Sequence, residues 1–166
     1  QSGELNCNIP LVISNHDNLR NSVEQYGIEY HHLPVGAENR ESQEEEILSL
    51  LEGQSIDIVI LARYMQILSP KIVQQYKGRI INIHHAFLPA FKGDRPYQKA
   101  WVRGVKMIGA TAHYVTEDLD EGPIIEQDVE SVTHQYSMKE MIQAGRDIER
   151  RVLTAAVKAH LQHRIL

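Results

Sequence analysis

Ile80-Ile81-Asn82-Ile83-His84-His85-Ala86-Phe87-Leu88-Pro89-Ala90-Phe91-Lys92-Gly93 joins an apolar run to a turn-rich loop, and the polar residues cluster where the run ends. A short run of this kind predicts a strand covered on both faces. Two similar runs precede it, Leu11 to Ile13 and Ile56 to Ala62. Between them, Asn18 to Tyr26 predicts a weakly amphipathic helix ending at Gly27. Ser42 to Leu51 predicts another, opened by the capping-box pair Ser42 and Glu45 and stopped at Gly53. The order β-α-β-α-β implies right-handed crossovers and an α/β architecture, a mostly parallel, Rossmann-like sheet with helices on both faces.

After Gly93 the pattern changes. Pro96 to Arg103 predicts a helix, Met107 to Val115 a longer strand with loose alternation, and Pro123 to Val129 another strand. A last helix begins at Ser137, with Glu140 completing a capping box. It places Met141, Gly145, Ile148, Val152, Ala156 and Ala159 at helical spacing. Gly145 lies inside that stripe, where close backbone packing explains a small residue better than a kink. The chain opens on a polar loop rather than on the strand and glycine turn with which a doubly wound domain usually starts. The expectation is therefore one catalytic domain over residues 1–166 that lacks its first β-α unit.

Composition narrows the partners. With 42% hydrophobic and 23% charged residues in 166, the chain has the make-up of a globular domain with a core of its own. Seventeen Lys and Arg against 22 Asp and Glu give a formal net charge of -5, which supplies no basic field for a nucleic-acid backbone. Cys7 is the single cysteine, so it forms no internal disulfide, and a small structural role is expected for it. No run approaches the roughly 18 to 20 apolar residues that span a bilayer, and residues 1–4 do not open a signal peptide. A cytoplasmic protein without a membrane partner is expected.

In an open parallel sheet the ligand crevice lies beyond the carboxyl ends of the strands. Asn82 and His84 end one strand two residues apart, so their side chains share a side while Ile83 faces the other. A carboxamide NH2 is a neutral donor suited to a developing oxyanion, and imidazole can donate to the same oxygen or move a proton near neutral pH. Asp120, in Leu119-Asp120-Glu121-Gly122-Pro123, could orient a water or accept its proton. Each residue also has a structural reading: Asn82 as a partner of loop backbone, Asp120 as a turn residue. Only the set points to acyl chemistry. His84 and His85 face opposite sides as strand neighbours, which disfavours a metal pair. Pro89 restrains the loop behind His84. Lys92 could meet an anionic substrate tail or simply be solvated, and Glu44-Glu45-Glu46 suits a solvated helix start.

Asn82-Ile83-His84-His85, Phe87-Leu88-Pro89-Ala90-Phe91, Gly93, Gly109 to Val115 and Leu119 to Ile125 together resemble the formyltransferase family. His84-His85 before Phe87-Leu88-Pro89, Ala62-Arg63-Tyr64-Met65-Gln66 and Ala144-Gly145-Arg146-Asp147 look like its formyltetrahydrofolate deformylase branch. Ala86, where that branch has serine, and Asp94, where a small residue is usual, depart from the pattern. The resemblance implies a three-layer α/β/α formyltransferase fold that hydrolyses 10-formyltetrahydrofolate to tetrahydrofolate and formate. Asn82, His84 and Asp120 would be its catalytic trio. It further implies a homo-oligomer, no cofactor beyond the folate substrate, formate supply for purine synthesis, and an N-terminal ACT-type domain preceding the catalytic part. By the same analogy the pterin lies between the Ala62 to Leu68 and Val115 to Asp120 loops. The implied binding residues are Met65, Gln66, Ile67, Leu68, His113, Val115, Thr116, Glu117 and Asp118. Met65, Ile67 and Leu68 are equally readable as core. Formyl transfer to an amine such as glycinamide ribonucleotide would use the same trio, and a folate-binding or assembly module without turnover is a third reading.

Overall fold

The computed structural model describes residues 5–36, 38–89 and 96–165. Ala90, Phe91, Lys92 and Gly93 of the quoted motif, and Asp94 directly after it, lie outside the described residues. The chain forms two compact units, one of Asn6–Asp57 and one built on Ile58–Leu166 together with Leu5.

The smaller unit is β1 (Leu11–Ser14), α1 (Arg20–Glu24), β2 (Glu29–His32) and α2 (Arg40–Gly53), with β1 and β2 parallel. Gly27, at φ 73°, turns the chain out of α1 as expected of a glycine after a helix. β2 is a strand that the hydrophobic pattern does not announce. Its sequence is Glu-Tyr-His-His and only Tyr30 is buried. The capping box predicted at Ser42 and Glu45 does not form. α2 begins earlier, at Arg40 after Asn39, and the Ser42 hydroxyl donates to the Asn39 carbonyl (2.9 Å) as an intrahelical residue. Cys7 is exposed, contrary to the packing role expected of it.

The larger unit contains a four-stranded sheet in the order β3 (Val59–Ala62), β4 (Ile80–His84), β5 (Met107–Tyr114), β6 (Ile124–Ser131). β3 and β4 are parallel, joined through α3 (Pro70–Gln75), a helix that the sequence signals only by Pro70 at its first turn. β5 and β6 run antiparallel, because the connection after Tyr114 returns directly to the sheet edge without a crossover helix. α4 (Pro96–Arg103) and α5 (Met138–Leu161) complete the unit. The Ser137–Glu140 capping box forms with both of its hydrogen bonds, so α5 starts where its sequence signal places it. Its buried stripe of Met141, Ile148, Val152 and Ala156 packs with Ile81, Ile83, Ala110 and Ala112 into one core. Gly145 meets the Tyr97 ring, where a Cβ would overlap the ring carbons; close packing is the reason for this glycine. No helix among the described residues is long and apolar enough to cross a membrane.

Candidate active site

Antiparallel pairing of β4 with β5 builds the centre. It sets Asn82 opposite His113 and His84 opposite Thr111, so side chains 31 and 27 residues apart in sequence become direct cross-strand neighbours. Asn82 Nδ2 donates to His113 Nε2 (3.2 Å), and His113 Nδ1 donates to the Tyr114 carbonyl (2.9 Å). A carbonyl only accepts, so the tautomer of His113 is fixed with its proton on Nδ1 and a lone pair toward the amide.

Asp120 reaches this pair from the β5–β6 connection. Its Oδ2 lies 3.5 Å from His84 Nδ1 and its Oδ1 3.5 Å from His113 Nε2, so one carboxylate stands between two imidazoles. These separations exceed an ordinary hydrogen bond, a spacing common before a substrate tightens a site. The connection is closed by Tyr114 N–H donating to the Pro123 carbonyl (2.9 Å). Gly122 permits that closure, because a Cβ there would collide with the Tyr114 carbonyl oxygen and come within 3.3 Å of Thr116 Cγ2. Asp120 itself adopts φ 56°, in the left-handed region. The structure thus brings together Asn82, His84 and Asp120, the three residues singled out from sequence. His113 joins them buried, 2% exposed.

The loop behind His84 is held by a residue that the sequence reading gave no role. Thr111, fully buried, donates to the Ala86 carbonyl (3.0 Å) and accepts from Leu88 N–H (3.0 Å) and Gln127 Nε2 (2.9 Å). Gln127 also donates to the Leu88 carbonyl (3.2 Å), and the Leu88–Pro89 peptide is cis. A threonine in a strand carries no local sign of such work, which depends on its partner across the ladder.

The flanking loops differ in exposure. Met65 (65% exposed) and Ile67 (57%) stand in solvent, which excludes the core reading of both; Gln66 and Leu68 are half-buried. On the other loop Val115 is half-buried while Thr116, Glu117 and Asp118 are exposed. Gln74 of α3 donates to Glu117 (3.0 Å), and Val115 N–H to the Ile80 carbonyl (2.9 Å), tying this loop to its neighbours.

A second polar group adjoins the first. The His85 ring centroid lies 5.4 Å from that of His84 and 6.3 Å from that of Tyr97. Tyr97 OH donates to Glu149 Oε1 (2.8 Å), whose Oε2 faces Arg63 Nη2 at 3.4 Å. Burial pushes the Tyr97 hydroxyl well above the usual phenol range, and Glu149 adds to it, so Tyr97 remains a donor. Burial likewise lowers the basicity of His85, with Arg63 adding to that effect and Glu149 and Asp120 opposing it. Arg63, Glu149, Ile83 and Ala62 border a cavity of about 350 Å³.

Residues 1–157 match the family described as formyl transferase. The chain belongs to this family. Formyltetrahydrofolate deformylase of Synechocystis is 57% identical over 166 residues, which cover all of this chain and 58% of that protein. The crystal structure of a formyltetrahydrofolate deformylase from Pseudomonas syringae superposes with a TM-score of 0.95 at 52% identity, over 99% of this chain and 55% of that one. The phosphoribosylglycinamide formyltransferase of Bacillus halodurans superposes with a TM-score of 0.88 at 32% identity, over 96% and 84%. The fold is therefore the three-layer α/β/α fold of the formyl transferase family. The chain spans a little over half the length of the curated relatives it matches, 58%, 55% and 57% for the first three.

Proposed function

We propose that this chain carries the catalytic site of a 10-formyltetrahydrofolate hydrolase. The observation that carries the reading is the Asp120 carboxylate standing 3.5 Å from both His84 and His113, beside an Asn82 amide already oriented by His113. Water positioned by Asp120 attacks the formyl carbon. The amide uses one Nδ2 hydrogen on His113, which leaves the second for the oxyanion, and His84 supplies another donor. The C–O bond forms, the C–N10 bond breaks, and N10 takes a proton delivered through His84. The balance is tetrahydrofolate, formate and one proton for each water consumed, with folate as substrate and no resident cofactor or metal.

The pterin lies between the loops bearing Met65, Gln66, Ile67 and Leu68 and those bearing Val115, Thr116, Glu117 and Asp118. Exposed Met65 and Ile67 support this, because apolar side chains in solvent at a loop suit a flat heterocycle. The working protein is a cytoplasmic homo-oligomer supplying formate for purine synthesis, with residues 1–166 as its catalytic part. The rival reading, transfer to glycinamide ribonucleotide, has support in the 32% identical transferase on the same fold. One assay separates them: formate release from 10-formyltetrahydrofolate, with and without the ribonucleotide. Release without it is expected; turnover only in its presence would replace hydrolysis by transfer.

A further inference from the structure

We propose that the cavity at the carboxyl ends of β3 and β4 is a second ligand site, in which Arg63, Arg146 and Arg150 hold the phosphate group of a small phosphate monoester.

The sheet itself separates this site from the reaction centre. Ala62, the last residue of β3, pairs in register with Ile83, and both line the cavity. Ile83 lies between Asn82 and His84 on β4, so its side chain leaves the opposite face, where it packs with α5. The carboxyl end of a parallel strand pair is where open α/β sheets receive ligands. Here one face of that end carries Asn82 and His84, and the other carries the cavity.

α5 supplies the far wall. Glu149, Arg150 and Leu153 follow Arg146 by three, four and seven residues, so the four share one face of the helix. That stripe runs beside the buried one of Met141, Ile148, Val152 and Ala156. Arg63 completes the ring from the end of β3, leaving the strand at φ 54° with its Nη2 3.4 Å from Glu149 Oε2. A volume of about 350 Å³ is in the range of small-molecule pockets.

Charge and donor count select the ligand. Three guanidiniums face one lining carboxylate, Glu149, and one flanking carboxylate, Asp147, which pairs with Arg150 at 3.3 Å. Three against two leaves one excess positive charge here, in a chain whose formal net charge is -5. Glu149 is 11% exposed and held from inside by the Tyr97 hydroxyl (2.8 Å), whereas Arg63 is 57% exposed, so a ligand entering from solvent meets the cation. Arg146 makes no ion pair or hydrogen bond among the described residues, and Arg63 and Arg150 each engage a single carboxylate. A guanidinium presents five N–H donors, so most of them remain for a ligand. A monocarboxylate has two oxygens and satisfies one such fork. A phosphate monoester brings three oxygens and close to two negative charges, enough for several. Ala62, Ile83 and Leu153 give its carbon part an apolar wall, which favours an ester over inorganic phosphate.

The test is calorimetric titration of the full chain at low ionic strength with phenyl phosphate, inorganic phosphate and phenol, above the phosphate pKa of about 6. Binding needs no turnover, so the outcome is read apart from the hydrolase. Phenyl phosphate should bind saturably at one site, inorganic phosphate more weakly, and phenol not at all. Arg146→Ala should weaken phenyl phosphate by about tenfold or more, the loss of one charge-assisted contact. Arg146→Lys should recover part of that loss, since it keeps the charge without the planar fork. Arg150→Ala should also weaken binding, and Glu149→Gln, which removes the opposing charge, should tighten it. Arg164→Ala, at an exposed arginine outside the cavity, should bind as wild type does. Melting temperatures of the two alanine variants at positions 146 and 150 should match wild type, because both side chains are exposed. No saturable binding of either phosphate overturns the proposal. So does wild-type affinity in both Arg146→Ala and Arg150→Ala, or an equal loss in Arg164→Ala. Inorganic phosphate binding as tightly as phenyl phosphate overturns the ester as occupant.

Discussion

Replacing Thr111 by valine keeps the side-chain shape and removes only the hydroxyl. Three hydrogen bonds meet at that oxygen, from Leu88 N–H, from Gln127 Nε2 and to the Ala86 carbonyl. Gln127 retains the Leu88 carbonyl as acceptor, so the cost falls on the Leu88 amide and the Ala86 carbonyl. A buried polar group stripped of its partner costs about 1–3 kcal/mol, so the pair together costs about 2–6 kcal/mol. Thr111→Ser keeps the hydroxyl and loses one buried methyl, worth about 1 kcal/mol. Valine should therefore lower the melting temperature on the order of 10 °C, and serine by only a few degrees. Because the loop these bonds hold begins directly after His84, valine should also slow formate release at temperatures where the variant is fully folded, and serine should not. Thermal melts of the three proteins, with initial rates at 20 °C below their common melting onset, make the comparison. Equal melting temperatures for valine and serine would refute the claim that this hydroxyl anchors the loop.

Asp120→Asn should reduce formate release by about 10²- to 10⁴-fold with little change in folate affinity measured by fluorescence titration, because the group lost moves a proton. Gly122→Ala forces a Cβ onto the Tyr114 carbonyl, and should abolish turnover and lower the melting temperature together. Ser137→Ala removes the acceptor for Glu140 N–H and should cost about 0.5–2 kcal/mol in denaturant unfolding, with activity of the folded protein unchanged. Burial lowers the basicity of both His85 and His160, so below their ordinary value of 6.5 the unfolded chain binds more protons than the folded one. Stability from these two histidines is full above that pH and falls as the pH drops through it, and melts between pH 5 and 7.5 should show a shallower decline in His160→Asn.

The sequence made some parts of this molecule plain and concealed others for physical reasons. β4 and the start of α5 were readable because a Val/Ile/Leu run and a reciprocal cap are local signals, complete within a few residues. β2 was hidden because Glu29-Tyr30-His31-His32 is polar and buries one side chain, and α3 because six residues hold too little periodicity to register. At α2 a capping-box pattern was present, yet Asn39 came first and the helix formed past the pattern. Asn82, His84 and Asp120 could be picked out because each carries chemistry at the end of a strand or in a turn. His113 on Asn82, Thr111 on the loop, and Glu149 on Arg63 exist only through pairing of elements up to 86 residues apart, which no local pattern encodes.

The left-handed backbone at Asp120 sets a rule for which residues that position can hold. At φ 56° the residue types that sit without appreciable strain are glycine, asparagine and aspartate. Of these, only aspartate ionises. A search of sequence space at this site is thus nearly closed before catalysis is considered, since glutamate would restore the charge but has to bear the wrong backbone. The loop and the carboxylate must change together or not at all.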